Sequence, residues 1–195
     1  MTEKRKVLIT GGAGLIGSIM IEKLSDKYEF SSLDLHEANG LPSTIADLDN
    51  LDAITPAFTE IDTVVHLAAD RSPAGSWESI LKNNFISTYN VFEASKRAGV
   101  KRVIFASSNH AEGGYYLDTP WKHVNDGNFD LLEQDNYELV TEKHMIRPDS
   151  YYGVAKAYGE ALGSYYNDFH GLSSFHLRIG WVLETDDPTF SAYAL

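Results

Sequence analysis

The sequence contains no cysteine, which excludes disulfide bonds, thiolate catalysis and cysteine-bound zinc. It also lacks a long apolar run, because the charged residues at its start are followed only by short apolar segments. A signal peptide needs an apolar stretch of roughly 7–15 residues and a membrane helix about 20. We therefore expect neither a signal peptide nor a membrane span, and we expect the protein in the cytoplasm.

Positive charge is scarce. The chain has 16 Lys+Arg against 28 Asp+Glu, a formal net charge of -12. Nucleic-acid binding requires clustered Lys and Arg, so we predict no nucleic-acid partner. The length of 195 residues and the hydrophobic fraction of 43% suit one globular domain spanning residues 1–195.

Short apolar runs alternate with longer helical patterns along the chain, as in βαβ units. This alternation predicts an α/β fold with a doubly wound parallel sheet, a Rossmann fold. The predicted strands are Val7–Thr10, Phe30–Leu33, Ser43–Ala46 (the weakest), Thr63–Leu67, Val103–Ala106 and Ser174–Ile179, and the predicted helices are Leu15–Leu24, Ile80–Ala98 and Tyr152–Phe169. Gly99 is predicted to cap the second helix.

One polar stretch, residues 115–150, has no place in this alternation. Ordered loops beyond about 12–15 residues are uncommon and often functional. The stretch is either a surface excursion or a lid over an active site, and the sequence does not decide between the two.

Glycines at 11, 14 and 17 follow the first predicted strand and open the first helix, together with Leu15 and Ile16. Such glycines allow a tight turn, a close approach of the backbone to a pyrophosphate and close helix–strand packing. A glycine triplet alone could be a plain turn, but the strand–turn–helix context favours a dinucleotide site. Asp34 ends the second strand, where a carboxylate accepts hydrogen bonds from a ribose 2′-hydroxyl and repels a 2′-phosphate. We therefore predict NAD as cofactor, in preference to NADP.

Tyr152 and Lys156 are four residues apart and share one face of a predicted helix. A nearby ammonium group favours the phenolate form, which could make the tyrosine a base near neutral pH. Taken alone, the pair is better explained as a buried Tyr and a solvent-facing Lys on an amphipathic helix. Ser108 favours the catalytic interpretation of the pair, because it follows the fifth strand at the edge of the sheet where ligands bind.

With these motifs in order along the chain, the sequence resembles the extended short-chain dehydrogenase/reductase family, the NAD-dependent epimerase/dehydratases. The resemblance covers essentially the whole chain and rests on Thr10–Gly17, Asp47-Leu48, His66–Ala69, Asn84 with Thr88–Asn90, Phe105–Ser108 and Tyr152–Lys156. Ser87 stands where the family often has Gly, a mild departure.

The resemblance implies roles for these residues. Tyr152 would be the acid/base, and Lys156 would lower its pKa and hold the ribose. Ser108 would hydrogen-bond the reacting oxygen, and Asn84 would maintain a proton relay. Other positions would contact the cofactor: Asp47 and Leu48 beside the adenine, and His66, Leu67, Ala68 and Ala69 along its backbone. The resemblance also implies a homodimer formed through the helices near residues 80–98 and 152–169.

Within the family, the segment that follows Ser108 is similar to that of uronate dehydrogenases and of a related archaeal hexose-6-phosphate dehydrogenase. This similarity implies NAD-dependent oxidation of the C1 hydroxyl of a sugar, sugar acid or sugar phosphate to a lactone. Asn109 and His110 would contact sugar hydroxyls, and Arg178 would bind an anionic group of the substrate. His110 could instead cap a loop, and Arg178 could pair with one of the many acids. Trp181 replaces the Ser usual in uronate dehydrogenases.

Two alternatives remain open at this stage: a nucleotide-sugar epimerase or dehydratase of the same family, and a non-catalytic NAD-binding module. Family members usually continue well past the sixth strand into a small substrate-binding lobe, whereas this chain ends at Leu195, soon after Asp186–Pro188. We therefore expect the substrate lobe to be largely absent, the chain being either truncated or a natural minimal form. We expect no metal, since the His-x-Glu at 110–112 has no Cys-x-x-Cys partner.

Overall fold

A computed structural model describes residues 4–38, 40–132 and 139–185. Asp186–Pro188, named above, lies outside these residues. Six parallel strands form one sheet in the order β3-β2-β1-β4-β5-β6. Their bounds are β1 Arg5–Thr10, β2 Tyr28–Asp34, β3 Ser43–Ile45, β4 Thr63–His66, β5 Arg102–Ser108 and β6 Ser173–Ile179. The strand order reverses between β1 and β4, so the doubly wound Rossmann fold is confirmed.

Helices connect these strands. They are α1 Leu15–Leu24, α2 Leu51–Ile54, α3 Trp77–Ile80, α4 Ser87–Ala98, α5 Trp121–Asn125 and α6 Tyr151–His170. Short 3-10 turns occupy Thr55–Phe58, Asn109–Ala111, Gly113–Leu117 and Phe129–Leu131. No helix of the described residues is long and apolar enough to cross a membrane.

The central strands of the sheet are covered on both faces, which explains why they read as continuous apolar runs. On one face, Val7 and Ile9 of β1 pack in a cluster with Met20 and Ile21 of α1. On the other face, the core is built around Leu8, Val64 and Phe92 and includes aromatic rings from β5 and α6. Alternate residues of one strand therefore serve two separate cores.

The predicted helix Ile80–Ala98 is compound in the structure and begins earlier. Ser76 caps α3 by accepting a hydrogen bond from the Ser79 amide at 3.2 Å. A π-helical segment, Leu81–Ile86, then joins α3 to α4. The Ser87 hydroxyl donates to the Lys82 carbonyl at 2.9 Å, across this segment. π-Helical segments occur mostly as single turns inside longer helices, frequently at functional sites. Gly99 ends α4 in the left-handed conformation, as predicted.

The long stretch after β5 is tied together at its two ends. The Gly114 amide donates to the Arg147 carbonyl at 2.7 Å, and the Arg147 amide donates to the Ala111 carbonyl at 3.0 Å. The Tyr115 hydroxyl donates to the Met145 carbonyl at 3.1 Å. Residues 133–138 of this stretch lie outside the described residues. Its role as a lid stays a prediction.

Candidate active site

A cleft of about 1580 Å³ opens at the carboxyl ends of β1, β2, β4 and β5, the edge where ligands bind in open α/β sheets. It is lined by most of the predicted site residues: Gly11, Gly14, Leu15, Ile16, Gly17, Asp34, Asp47, Leu48, Leu67, Ala68, Ala69, Ser108, Asn109, His110, Tyr152 and Lys156. Among the described residues, His66, Asn84 and Arg178 are the three predicted site residues that do not line it.

The glycine-rich turn leaves β1 and begins α1, and its backbone has no room for side chains. Gly11 has a φ of +77°, and a Cβ there would lie 2.8 Å from the Ala68 nitrogen. A Cβ on Gly17 would lie 2.7 Å from the carbonyl oxygens of Gly11 and Gly12. Glycine is therefore required on steric grounds at both positions. The turn brings the amino end of α1 to the cleft, where backbone N–H groups can receive phosphate oxygens.

Asp34 lies at the end of β2, and backbone groups hold its carboxylate. Oδ2 accepts from the Ala13 amide at 3.0 Å, and Oδ1 accepts from the His36 amide at 3.2 Å. Each carboxylate oxygen has a second lone pair, so the group can still accept hydrogen bonds from ribose hydroxyls. These residues fit the adenosine half of a dinucleotide.

A second acid borders the same end of the cleft. Lys82, from the π-helical segment, contacts Asp47 at 2.7 Å and Asp49 at 3.3 Å. The hydrogen bond from Lys82 holds the pKa of Asp47 below its ordinary value. The adjacent Leu48 carbonyl accepts from the Asn90 side chain at 2.8 Å, which fixes the backbone here.

The segment Leu67–Ala69 follows β4 and lines the cleft, but the preceding His66 does not. Its ring is 1% exposed and bridges Thr10 at 2.7 Å and Thr88 at 3.1 Å. Burial, helped by the charge of Lys156, lowers the pKa of His66 to about 3, so the ring is neutral. The expectation that His66 lines the cofactor backbone is wrong, because its side chain instead links two strands and a helix beneath the site.

Ser108, Tyr152 and Lys156 meet at the other end of the cleft. Ser108 ends β5, while Tyr152 and Lys156 lie in the first two turns of α6. Ser150 caps this helix by accepting from the Gly153 amide at 3.0 Å. A Cβ at Gly153 would overlap the His110 carbonyl, so the glycine lets α6 approach the loop after β5.

The environment of these groups sets their protonation. Burial raises the pKa of Tyr152, and its hydrogen bond with Ser108 partly offsets that rise. Lys156 is 4% exposed and donates to the Ala106 carbonyl at 2.6 Å. Its ammonium nitrogen lies 5.3 Å from the centre of the Tyr152 ring. Burial lowers the pKa of Lys156 to about 8, so near neutral pH this group is largely a cation that lies beside the phenol. Its effect on the ionisation of Tyr152 stays a prediction.

Asn84 lies in the π-helical segment, and its side-chain amide binds the main chain of Asp70. Oδ1 accepts from the Asp70 amide at 2.8 Å, and Nδ2 donates to the Asp70 carbonyl at 2.9 Å. Asn84 thus anchors the segment that follows Leu67–Ala69. Its role in a proton relay stays a prediction.

Arg178 is held away from the cleft by carboxylates. Its Nε and Nη2 donate to the two oxygens of Glu160 at 2.9 and 2.7 Å, and Nη1 also contacts Glu112. Glu160 additionally accepts a hydrogen bond from Ser107 at 2.5 Å. The alternative reading of Arg178, pairing with acids, is therefore the arrangement in the structure. Because both edges of its guanidinium are engaged, we assign Arg178 no substrate contact.

Sequence reasoning missed Asp149. Its Oδ2 lies 2.8 Å from Nδ1 of His110, and the His110 ring makes an edge contact with Tyr152 at a centroid distance of 5.5 Å. Asp149 lies in the long polar stretch, 39 residues after His110. The one sequence feature that could have pointed to Asp149 is its position just before Ser150, the residue that caps α6.

With the geometry in place, comparison with known proteins decides the family. Residues 7–183 match the profile of the NAD dependent epimerase/dehydratase family. The chain belongs to this family. The predicted family and NAD as its cofactor are thereby confirmed, while the preference for NAD over NADP stays a prediction. The predicted oxidoreductase class is confirmed by the relatives that follow.

Three relatives illustrate the match. The chain is 41% identical over 182 residues to an L-arabinose 1-dehydrogenase (NAD(P)(+)) of Haloferax volcanii, covering 93% of this chain and 69% of the relative. An NAD-dependent glucose-6-phosphate dehydrogenase of the same organism is 32% identical, with 93% and 70% covered. A uronate dehydrogenase of Pseudomonas syringae pv. tomato is 32% identical, with 92% and 60% covered.

Among solved structures, a uronate dehydrogenase from Agrobacterium tumefaciens complexed with NAD superimposes with a TM-score of 0.72 at 31% identity. The match covers 88% of this chain and 59% of that one. The chain thus spans about 60–70% of the length of the relatives named here.

Proposed function

We propose that the protein oxidises the C1 hydroxyl of a sugar to a lactone and reduces NAD in the process. The observation that carries this proposal is the meeting of Ser108, Tyr152 and Lys156 in the cleft that the glycine-rich turn enters. A dinucleotide lying from that turn toward Tyr152 would have its reactive end beside an acid/base group.

Different residues along the cleft would hold different parts of the cofactor. The backbone of the 11–17 turn would bind the pyrophosphate and Asp34 the adenosine ribose, with Asp47 and Leu48 beside the adenine. Leu67, Ala68 and Ala69 would line its path, and Tyr152 and Lys156 would contact the nicotinamide ribose. When bound, the nicotinamide ring supplies a hydride acceptor.

The chain's own residues handle the proton. The phenolate of Tyr152 would take the proton of the C1 hydroxyl while the hydride leaves the same carbon, and the Ser108 hydroxyl would hold the oxygen. Lys156 would favour the phenolate through its charge at 5.3 Å from the ring. Asn84 would support the return of the proton to solvent, the relay role that the family resemblance implies.

The names of the relatives and the charge at the cleft support a substrate class. The relatives act by name on L-arabinose, glucose 6-phosphate and uronates, which are all sugars. Of the cleft-lining cations among the described residues, Lys156 is buried against Ala106 and only Arg71 is exposed. Of the lining acids, Asp34 and Asp47 belong to the adenosine end, which leaves Asp70 and Glu184. Asn109 and His110 offer hydrogen bonds to hydroxyls. A neutral aldose therefore suits this half of the site better than a uronate or a sugar phosphate.

A coupled screen tests the proposal. The protein is mixed with NAD and, separately, with aldoses including L-arabinose, hexuronates, hexose 6-phosphates and nucleotide sugars, and NADH is followed by its absorbance. We expect net NADH with an aldose. An epimerase would return the hydride and interconvert a nucleotide sugar without net NADH. NAD binding with no conversion of any sugar would indicate a non-catalytic module.

We also propose a homodimer in the cytoplasm. The helices expected to form its interface carry exposed apolar side chains, among them Ile86, Tyr89, Tyr165 and Phe169. Light scattering coupled to size-exclusion chromatography would measure the mass, and a monomer at micromolar concentration would contradict the dimer.

A further inference from the structure

His110 forms a dyad with Asp149 at the catalytic end of the cleft. The His110 ring lines the cleft and lies edge-on to the Tyr152 ring, with centroids 5.5 Å apart. Its Nδ1 is 2.8 Å from Oδ2 of Asp149. The dyad is thus placed where a group of the substrate close to the reacting oxygen would lie.

The carboxylate determines which ring nitrogen carries the proton. An ionised carboxylate only accepts hydrogen bonds, so Nδ1 must donate to Asp149. A neutral imidazole has one N–H, and Nε2 is then an acceptor. No hydrogen bond among the described residues reaches Nε2 of His110. This nitrogen is the one the ring can offer to a ligand.

Asp149 is itself fixed to the helix that carries Tyr152. Its Oδ1 accepts from the Ser150 hydroxyl at 2.8 Å, and Ser150 caps α6. A Cβ at Gly113 or Gly153 would press on the Asp149 side chain, so both glycines leave room for it. The carboxylate therefore has little freedom to move relative to Tyr152.

We propose that Asp149 is a positioning residue that fixes His110 as a hydrogen-bond acceptor for a substrate hydroxyl adjacent to the one oxidised. The inference rests on the proposed function and extends it to substrate selection. A sugar lacking that hydroxyl would leave Nε2 unpaired in the complex, which a binding site rejects strongly. A carboxylate or phosphate at the same place would face a second acceptor and the charge of Asp149.

The first experiment measures the tautomer and needs no substrate. Two-bond 15N–1H NMR correlations of the histidine rings, with His110 assigned by comparison with the H110Q variant, report which nitrogen carries the proton in the neutral ring. We expect the Nδ1–H form in the wild type and a smaller share of it in D149N, where an amide that can donate as well as accept replaces the carboxylate without a change in size. An Nε2–H wild type overturns the inference.

The second experiment measures sugar affinity. The dissociation constant of the aldose found in the screen is measured by calorimetry with NADH saturating, for wild type, D149N, H110A and the double variant. D149N should weaken sugar binding about tenfold, the effect of one hydrogen bond, and leave NADH binding unchanged. Because Asp149 acts through His110, D149N should add nothing in the H110A background.

Controls separate this inference from the proposed function. D126N changes an exposed aspartate that pairs with Lys122 on α5, and it should match the wild type in every measurement. A wild type that binds NADH but no sugar contradicts the proposed function. In that case the tautomer measurement still tests whether Asp149 fixes the proton of His110 on Nδ1. Additive effects of H110A and D149N, or D149N with unchanged sugar affinity, overturn this inference and leave the dehydrogenase proposal standing.

Discussion

The two ends of the cleft are built by different means. At the cofactor end, the 11–17 turn and Asp34 are placed by main-chain geometry, with glycines filling positions that no side chain could occupy. At the catalytic end, Ser108, Tyr152 and His110 are placed by side-chain hydrogen bonds and by helix α6. The first end depends on backbone shape and the second on a network, so substitutions at the two ends should separate cofactor binding from turnover.

Tyr152→Phe should have the largest effect and should act at the catalytic end alone. Loss of the acid/base should lower kcat by about 10²–10⁴-fold. The NAD dissociation constant, measured by calorimetry, should stay within about twofold, since the ring and its packing are retained. A variant that keeps the wild-type rate would exclude the proposed chemistry.

Ser108→Ala should lower the rate less and shift its pH dependence. The Ser108 hydrogen bond lowers the pKa of Tyr152, so its loss should raise that pKa. Because oxidation requires the phenolate, the rising limb of kcat/KM against pH should move to higher pH. The rate at neutral pH should fall about 10²-fold, as for loss of one oxyanion donor. An unchanged limb would show that Ser108 does not act on the phenol.

Gly11→Ala should damage the cofactor end, with Gly99→Ala as its matched control. Both glycines have positive φ, +77° and +72°, but only Gly11 has neighbours that a Cβ would strike. Backbone strain should cost each variant about 1–2 kcal/mol of unfolding free energy, and overpacking should cost Gly11→Ala about 1–3 kcal/mol more. Denaturant unfolding measures both. Equal losses would show that the turn tolerates a side chain.

Asp34→Asn should change cofactor choice by a smaller amount. Removing the charge should improve NADP binding relative to NAD about tenfold, because the repulsion of a 2′-phosphate is lost. Titration of both cofactors measures the ratio. Turnover with saturating NAD should hardly change. A large fall in kcat would contradict the separation of cofactor binding and catalysis between the two ends of the cleft.

His66→Gln should have the smallest effect of these substitutions at neutral pH. In acid it should clearly change how the free energy of unfolding depends on pH. The pKa of His66 in the folded protein, about 3, lies below the ordinary 6.5. The unfolded chain therefore binds the extra proton, and stability is full above pH 6.5 and is lost as pH falls toward 3. The slope is about 1.4 kcal/mol per pH unit. Between pH 6.5 and 5, the free energy of unfolding should depend less on pH in the variant than in the wild type. This range lies above the one in which Glu93 titrates.

The same division explains how much could be predicted from sequence. The fold, the turn and Asp34 depend on local patterns: apolar runs, glycine spacing and the residue that ends a strand. Arg178 and Asp149 depend on partners distant in sequence, Glu160 at 18 residues and His110 at 39, which no local pattern reveals. His66 was misplaced for the same reason, since its orientation follows from Thr10 and Thr88.

Helix α6 carries Tyr152, Lys156 and Glu160 at intervals of four residues, so these three side chains share one face. Glu160 forms an ion pair with Arg178 of β6, and the chain that leaves β6 at Ile179 forms part of the cleft wall. A displacement of the helix would therefore carry that wall along with the phenol. The Glu160–Arg178 pair, which lies outside the cleft lining, thus couples the position of the base to that of the segment after β6.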